Sequence, residues 1–143
     1  MSEKKNDHGS SRGIGFRSAR KICVVALFTA LNVALSSFSI TVPGGHLYLN
    51  DVAICFAALF LDPLSAFIVG GVGAFLGDLL FYPAAMFVSL VSHGIEAIAI
   101  SLIAHGYRGE TPKLWRAIVG VLAGAILMVA GYTVGRAYTY GTW

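Results

Sequence analysis

Four polar residues recur along a stretch otherwise rich in Ala, Val, Ile and Leu: Ser89, Ser92, His93 and Glu96. Ser89 and His93 are four apart, Ser92 and Glu96 four apart, and His93 and Glu96 three apart, so an α-helix gathers them into one stripe. An imidazole beside a carboxylate can pass a proton, bind a metal or hold a polar solute. His-x-x-Glu supplies only two metal ligands and no second pair is evident, fewer than a zinc site needs. Ser-His-Glu nucleophilic chemistry would require a nucleophile elbow or an oxyanion device, and neither accompanies it. Asp78 closes an apolar run, where a carboxylate is costly unless it meets a cavity, a partner or the lipid interface. Snorkelling to headgroups beside Tyr82 would serve as well as a pocket. Tyr132 and Arg136, four apart on a later apolar run, could complete a polar pocket, although Arg136 suits an interfacial anchor equally. Asn50 opens another apolar run from a polar loop.

The elements that position these groups follow from composition. The chain has 143 residues, 57% hydrophobic and only 12% charged, with a mean hydropathy of +0.76. A soluble domain carries about 25% charged residues. One membrane-embedded domain is therefore expected, with no separate soluble module. Six of the ten Lys and Arg (Lys4, Lys5, Arg12, Arg17, Arg20, Lys21) precede the first apolar run, which signals membrane orientation rather than nucleic-acid binding. Cys23 and Cys55 lie in apolar runs and read as buried thiols without a disulfide. Residues 22–40 contain no charge for 19 positions, too long for a signal-peptide core, and no small-x-small cleavage site follows.

Residues 1–19 read as a disordered cytoplasmic tail and 20–143 as an all-α, polytopic membrane bundle. Helices are expected at about 20–40, 51–61, 63–80, 84–105 and 112–138. Pro43-Gly44-Gly45 stops the first, and residues 41–50 form a loop. Asn50-Asp51 is an N-cap for the second helix, whose ten apolar residues would span only about 15 Å. Asp62-Pro63 gives a cap with proline at the first helical position, and Thr111-Pro112 repeats the pattern. A cytoplasmic N-terminus leaves the 106–113 loop, which holds Arg108, as the basic loop on the same side. The last helix would then end outside near Tyr138, Tyr140 and Trp143, so a sixth, closing helix is expected beyond this sequence.

Ala26, Ala30 and Ala34 form a small-residue stripe on the first helix, fit for close helix contact within the bundle or with a partner. Gly70, Gly71, Gly73 and Gly77, and the pairs Gly120/Gly124 and Gly131/Gly135, suit packing inside the bundle. The glycines at 71, 73 and 77 superficially match a dinucleotide fingerprint, but no strand precedes them.

Several motifs in order resemble the S component of an energy-coupling factor (ECF) vitamin transporter. They are Ala26-Leu-Phe-Thr-Ala30-Leu, Ile40-Thr-Val-Pro-Gly-Gly, Leu49-Asn50-Asp51, Leu61-Asp62-Pro63, Gly70-Gly-Val-Gly-Ala-Phe-Leu-Gly-Asp78 and Met128-Val-Ala-Gly-Tyr132. The resemblance covers about residues 20–140. It implies six membrane helices in the plasma membrane and capture of a vitamin or its precursor near the outer face, under the loop between the first two helices. It also implies hand-over to a transmembrane coupling subunit driven by two ATPase subunits, onto which an Ala-x-x-x-Ala face docks. Ala26 and Ala30, with Ala34, match that face.

The expectation is thus a vitamin-binding transport subunit rather than an enzyme, with no cofactor, no metal and no nucleic-acid partner. No ATP-binding motif is present, so energy comes from partners. Asn50, Asp78, His93, Glu96 and Tyr132 are expected to bind the substrate, and Pro43, Gly44, Gly45, His46 and Tyr48 to form the gating loop. Two rivals differ in class. A metal-dependent intramembrane enzyme would centre on His93 and Glu96, and a membrane scaffold would use only its small-residue faces and bind no solute.

Overall fold

The computed structural model describes residues 11–42, 45–106 and 111–141. Among them the chain forms five helices and one small hairpin. Helix α1 is Ser11–Ser36, α2 Asn50–Phe60, α4 Met86–His105 and α5 Leu114–Tyr140. Helix α3 is the apolar rod Pro63–Phe81. Four of the helices (all but α2) are long and apolar enough to cross a membrane. The bundle is all-α in class, and the hairpin sits at one end.

Helix α1 departs from the sequence expectation at both ends. It starts nine residues before Arg20, so residues 11–19 are helical where a disordered tail is expected; residues 1–10 lie outside the described residues. It stops at Ser36 rather than Ile40. There Ser37 turns back, its amide (3.3 Å) and hydroxyl (2.7 Å) both donating to the Ala34 carbonyl. The β-branched run Ile40-Thr41-Val42 then favours extended backbone. Strand β1 (Ser39–Val42) pairs antiparallel with β2 (Gly45–Tyr48), Ser39 opposite Tyr48 and Val42 opposite Gly45. The expected loop is therefore largely a hairpin, and Pro43 and Gly44 lie outside the described residues.

The expected caps fare differently. Asp62 caps α3 as anticipated, with Oδ2 accepting from the Ser65 amide (3.3 Å), Oδ1 from the Ser65 hydroxyl (2.8 Å), and Pro63 at the first helical position. Asn50-Asp51 does not cap α2: Leu49 holds that place without a side-chain bond, and both polar residues are carried into the first turn. Helix α5 begins at Leu114, after an uncapped Lys113, rather than at Pro112.

Helix α3 runs through a π turn at Ile68–Val72. A π turn widens the helix and disturbs its carbonyl ladder, and Asn32 of α1 answers from outside. Asn32 is fully buried and donates its Nδ2 to the Val69 carbonyl at 2.6 Å. Within this turn Gly70 lies so close to α4 that an added Cβ would stand 2.8 Å from both the Ala97 Cβ and the His93 carbonyl oxygen. Only glycine lets the two backbones approach in this way.

The core joins Ile54 and Ala58 of α2, Ala66 of α3, and Ala97 and Ile100 of α4. A second cluster sets Ala57, Leu61 and Val69 against Val24, Val25 and Phe28 of α1. Ser101 closes the C-terminal end of α2 by donating to the Leu61 carbonyl at 2.6 Å. The four glycines of α5 pack on α4, against Ile103, Ile100, Ser92 and Val88 in turn. Cys23 and Cys55 are free thiols, but Cys23 is exposed on α1 rather than buried.

Two contacts mark the end of the bundle opposite the hairpin. Lys21 of α1 pairs with Asp62 at 2.7 Å, and Arg116 of α5 donates its Nε to the Ile103 carbonyl at 3.2 Å. At the hairpin end the Tyr48 ring meets Tyr82 edge-on, with centroids 6.4 Å apart.

Candidate functional site

The polar stripe of α4 faces inward because its other faces carry the apolar residues that meet lipid. Ser89, Ser92, His93 and Glu96 are all buried. Asp78 reaches them from the last turns of α3, and Tyr132 from α5. Ser89 donates its hydroxyl to Asp78 Oδ2 and also bonds the Tyr132 hydroxyl. That hydroxyl lies 3.3 Å from His93 Nε2, with the two rings edge-on at 5.4 Å and 68°. On the far side of the imidazole, Nδ1 bonds Glu96 Oε2 at 3.0 Å and stands 3.4 Å from Asp51 Oδ1. One line of polar atoms thus runs Asp78–Ser89–Tyr132–His93–Glu96 across three helices, with Asp51 joining from a fourth.

Three members of this line, Asp78, Tyr132 and His93, form a wall of a cavity of about 770 Å³ at the hairpin end of the bundle. Asp78, His93 and Tyr132 line it, as do Asp51, Tyr48 and Arg136. Such a volume is ordinary for a small-molecule site, in which a few placed polar groups in a largely apolar lining orient the ligand. Phe81, Tyr82, Val88 and Met128 supply apolar lining.

The five residues expected at a binding site do not all reach the cavity surface. Asp78, His93 and Tyr132 do. Glu96, 2% exposed, lies behind His93, where it holds the imidazole. Asn50 is buried on α2 beside Asp51, and its Oδ1 has no partner among the described residues. Of the expected gating residues, Tyr48 lines the cavity, Gly45 and His46 belong to β2, and Pro43 and Gly44 are outside the described residues. Burial raises the Tyr48 phenol above its ordinary pKa, and the Asp78 carboxylate adds to the effect.

Asp51 and Ser89 complete the arrangement. Asp51 was hidden in the sequence by its resemblance to a cap. Its one signal is a carboxylate opening an apolar helix too short to bring it out at the far interface. Ser89 is visible in the stripe, yet spacing alone does not reveal that it joins Asp78 to Tyr132. With Asp51, the His93–Glu96 pair becomes a set of three potential metal ligands whose donor atoms lie within 4.8 Å of one another.

Ala26, Ala30 and Ala34 are exposed on α1. They line a separate shallow apolar groove of about 940 Å³ between α1 and α3, floored by Val25, Val33, Leu64 and Ile68.

Four helices long and apolar enough to cross a membrane, packed around a buried polar cluster, define a multi-pass membrane protein. The chain belongs to the family of ECF-type riboflavin transporter S components, whose profile matches residues 16–142. It is also similar to the thiamine precursor transporter HmpT of Lactococcus lactis subsp. cremoris (strain MG1363), 32% identical over 131 residues, covering 87% of this chain and 72% of that one. An uncharacterized protein in the gap 3'region of Pyrococcus woesei is 32% identical over 114 residues, 78% of this chain and 74% of that one. The family consists of transporter subunits, so the metal-dependent enzyme is set aside as the reading of His93 and Glu96.

Proposed function

We propose that this chain captures a vitamin or vitamin precursor at the outer face of the plasma membrane and delivers it for import by an ECF-type complex. The observation that carries the reading is the cavity itself, placed at the hairpin end and walled by Asp78, Tyr132 and His93. The solute is held beneath the paired strands 39–42 and 45–48, of which Tyr48 lines the cavity, and these strands act as the gate.

Charge is divided between the two ends of the bundle. Arg20, Lys21, Lys113 and Arg116 fall at the end opposite the hairpin, joined there by the Lys21–Asp62 and Arg116–Ile103 contacts. Basic flanks favour the cytoplasm, which puts the N-terminus inside and the cavity outside. The α1 groove with Ala26, Ala30 and Ala34 is the docking face for a transmembrane coupling subunit, itself driven by two ATPase subunits. Small side chains there permit the close helix approach that drives association in lipid.

Riboflavin and thiamine precursors are the solutes suggested by the family and by the Lactococcus relative. Calorimetry with purified protein in detergent tests the reading. Saturable one-to-one binding of a solute of either class, weakened by Asp78→Asn, is the expected result. Binding of neither, or binding indifferent to the cavity residues, would contradict it.

A further inference from the structure

The hydrogens of the polar wall can be counted. Ser89, Tyr132 and His93 form an unbroken chain ending at Asp78 on one side and at Glu96 on the other. Each hydroxyl has one hydrogen to give. When Asp78 is ionised, Ser89 donates to Asp78, Tyr132 to Ser89, His93 Nε2–H to Tyr132, and a protonated Glu96 carboxyl to Nδ1. When Asp78 is protonated, every arrow reverses, Tyr132 donates to Nε2, and Nδ1–H donates to Glu96. The two arrangements hold the same number of protons. Either way both hydroxyl hydrogens are spent inside the chain, and only lone pairs remain for the cavity.

The neighbouring groups point the same way. Asp51 lines the cavity, and its Oδ1, a buried oxygen 3.4 Å from His93 Nδ1, has no hydrogen-bond partner among the described residues. Thr133 and Thr139, also in the lining, return their hydroxyl hydrogens to the Val129 and Gly135 carbonyls at 2.8 Å each. Donors do occur in the lining, on Tyr48 and on Arg136. Arg136 stands one turn, about 6 Å, along α5 from Tyr132. The wall formed by Asp51, Asp78 and Tyr132 is therefore a surface of acceptors bearing two carboxyl groups, with a third in Glu96 behind.

We infer that the solute presents hydrogen-bond donors to this wall, as an amino-substituted nitrogen heterocycle able to carry a positive charge, and that a ring presenting carbonyl oxygen there is rejected. This rests on the proposed solute-binding role and narrows it. An amidine-like edge, with an exocyclic amino group beside a protonated ring nitrogen, matches a carboxylate with two parallel bonds. A carbonyl in the same place would set lone pair against lone pair and leave buried acceptors unpaired, the situation that gives a polar site its strongest discrimination.

The test compares two probes of nearly equal shape, 4-amino-5-hydroxymethyl-2-methylpyrimidine and its 4-oxo counterpart, with riboflavin as a third. Affinities are measured by calorimetry on the full chain in detergent. The amino compound is expected to bind at least about tenfold tighter than the oxo compound. Asp51→Asn and, separately, Asp78→Asn place an amide donor in the wall, and either should narrow the ratio to within about threefold. Because the readout is a ratio, a general loss of packing does not imitate it.

Equal affinities, or a preference for the oxo compound, overturn the inference. So does a ratio unchanged in both variants. Riboflavin binding without either pyrimidine sinks the inference and leaves the transport reading standing, whereas binding of none of the three removes both. A stoichiometric divalent metal in the fresh protein, lost together with pyrimidine binding in Glu96→Gln, would also overturn it, since Asp51 would then serve the metal.

Discussion

Tyr132 of α5 closes on His93 of α4, its hydroxyl 3.3 Å from Nε2 and its ring edge-on to the imidazole. The contact joins the outermost helix of the chain order to the polar stripe of a central one. It also puts a phenol between a histidine and the Ser89–Asp78 pair, so three helices share one chain of hydrogen bonds. Buried polar groups are expensive when unpaired and rigid when fully paired, and this chain pairs most of them before any solute arrives.

The first prediction concerns that chain. Asp78→Asn and Glu96→Gln should each weaken solute binding by about 5- to 150-fold, the equivalent of one lost buried hydrogen bond of roughly 1–3 kcal/mol. Asp78 acts from the cavity surface, whereas Glu96 acts through the orientation of His93. Unchanged affinity in both variants, with melting temperatures preserved, would place the binding site elsewhere.

Docking is separable from binding. Ala26→Trp or Ala30→Trp fills the exposed α1 groove, which shares no lining residue with the cavity. Co-purification with the coupling subunit should fall sharply while solute affinity stays within about twofold. Retained assembly and uptake in the double variant would remove the docking role.

The fold and the site are legible in the sequence at some places and opaque at others, for physical reasons. Asp62-Pro63 announced a helix start because a capping carboxylate and a proline at the first position leave little else possible. Spacing of three and four placed Ser89, His93 and Glu96 together, since helical periodicity needs no knowledge of partners. Asn50-Asp51 carries the same capping vocabulary, yet both residues enter the first turn of α2, because short polar side chains serve equally in a cap and in a buried polar cluster. The π turn at Ile68–Val72 leaves side-chain periodicity nearly untouched, so it showed only as an excess of glycine. Asn32 is one polar residue in an apolar helix, and nothing in its spacing marks it out. Its role depends on the Val69 carbonyl, 37 residues away. The hairpin is hidden because the uncharged apolar run continues through Ile40 without a break, and only its β-branched end, Ile40-Thr41-Val42, favours strand over helix.

Topology can be checked by labelling. In a background with Cys23 and Cys55 replaced by Ala, single cysteines at Lys113 and Thr139 lie at opposite ends of α5 and are both exposed. A membrane-impermeant maleimide should modify position 139 in intact cells and position 113 only after permeabilisation. The reverse pattern would invert the bundle.

Acid should weaken one surface contact. Burial alone would raise the Asp62 carboxyl, but the hydrogen bonds from Lys21 and Ser65 outweigh it and hold the group below its usual 3.8. The stabilisation is therefore complete above pH 3.8 and fades as pH falls through the lower folded value. With the Asp62 side chain 42% exposed, the ion pair contributes at most about 1 kcal/mol. Wild type should melt slightly above Asp62→Asn at pH 7 and pH 5, and the gap should shrink as pH falls below 3.8. A gap that widens in acid would contradict this assignment.

The central claim is that the cavity between α3, α4 and α5 is where the solute sits. Native mass spectrometry of the protein, purified from cells and then incubated with riboflavin or a thiamine-precursor pyrimidine, addresses it directly. Wild type is predicted to retain one small molecule per chain, and Tyr132→Trp, which fills the cavity beside His93, to lose it while keeping its melting temperature. A wild-type chain that stays empty with every solute, or a Tyr132→Trp variant that retains the molecule as tightly, would contradict the account.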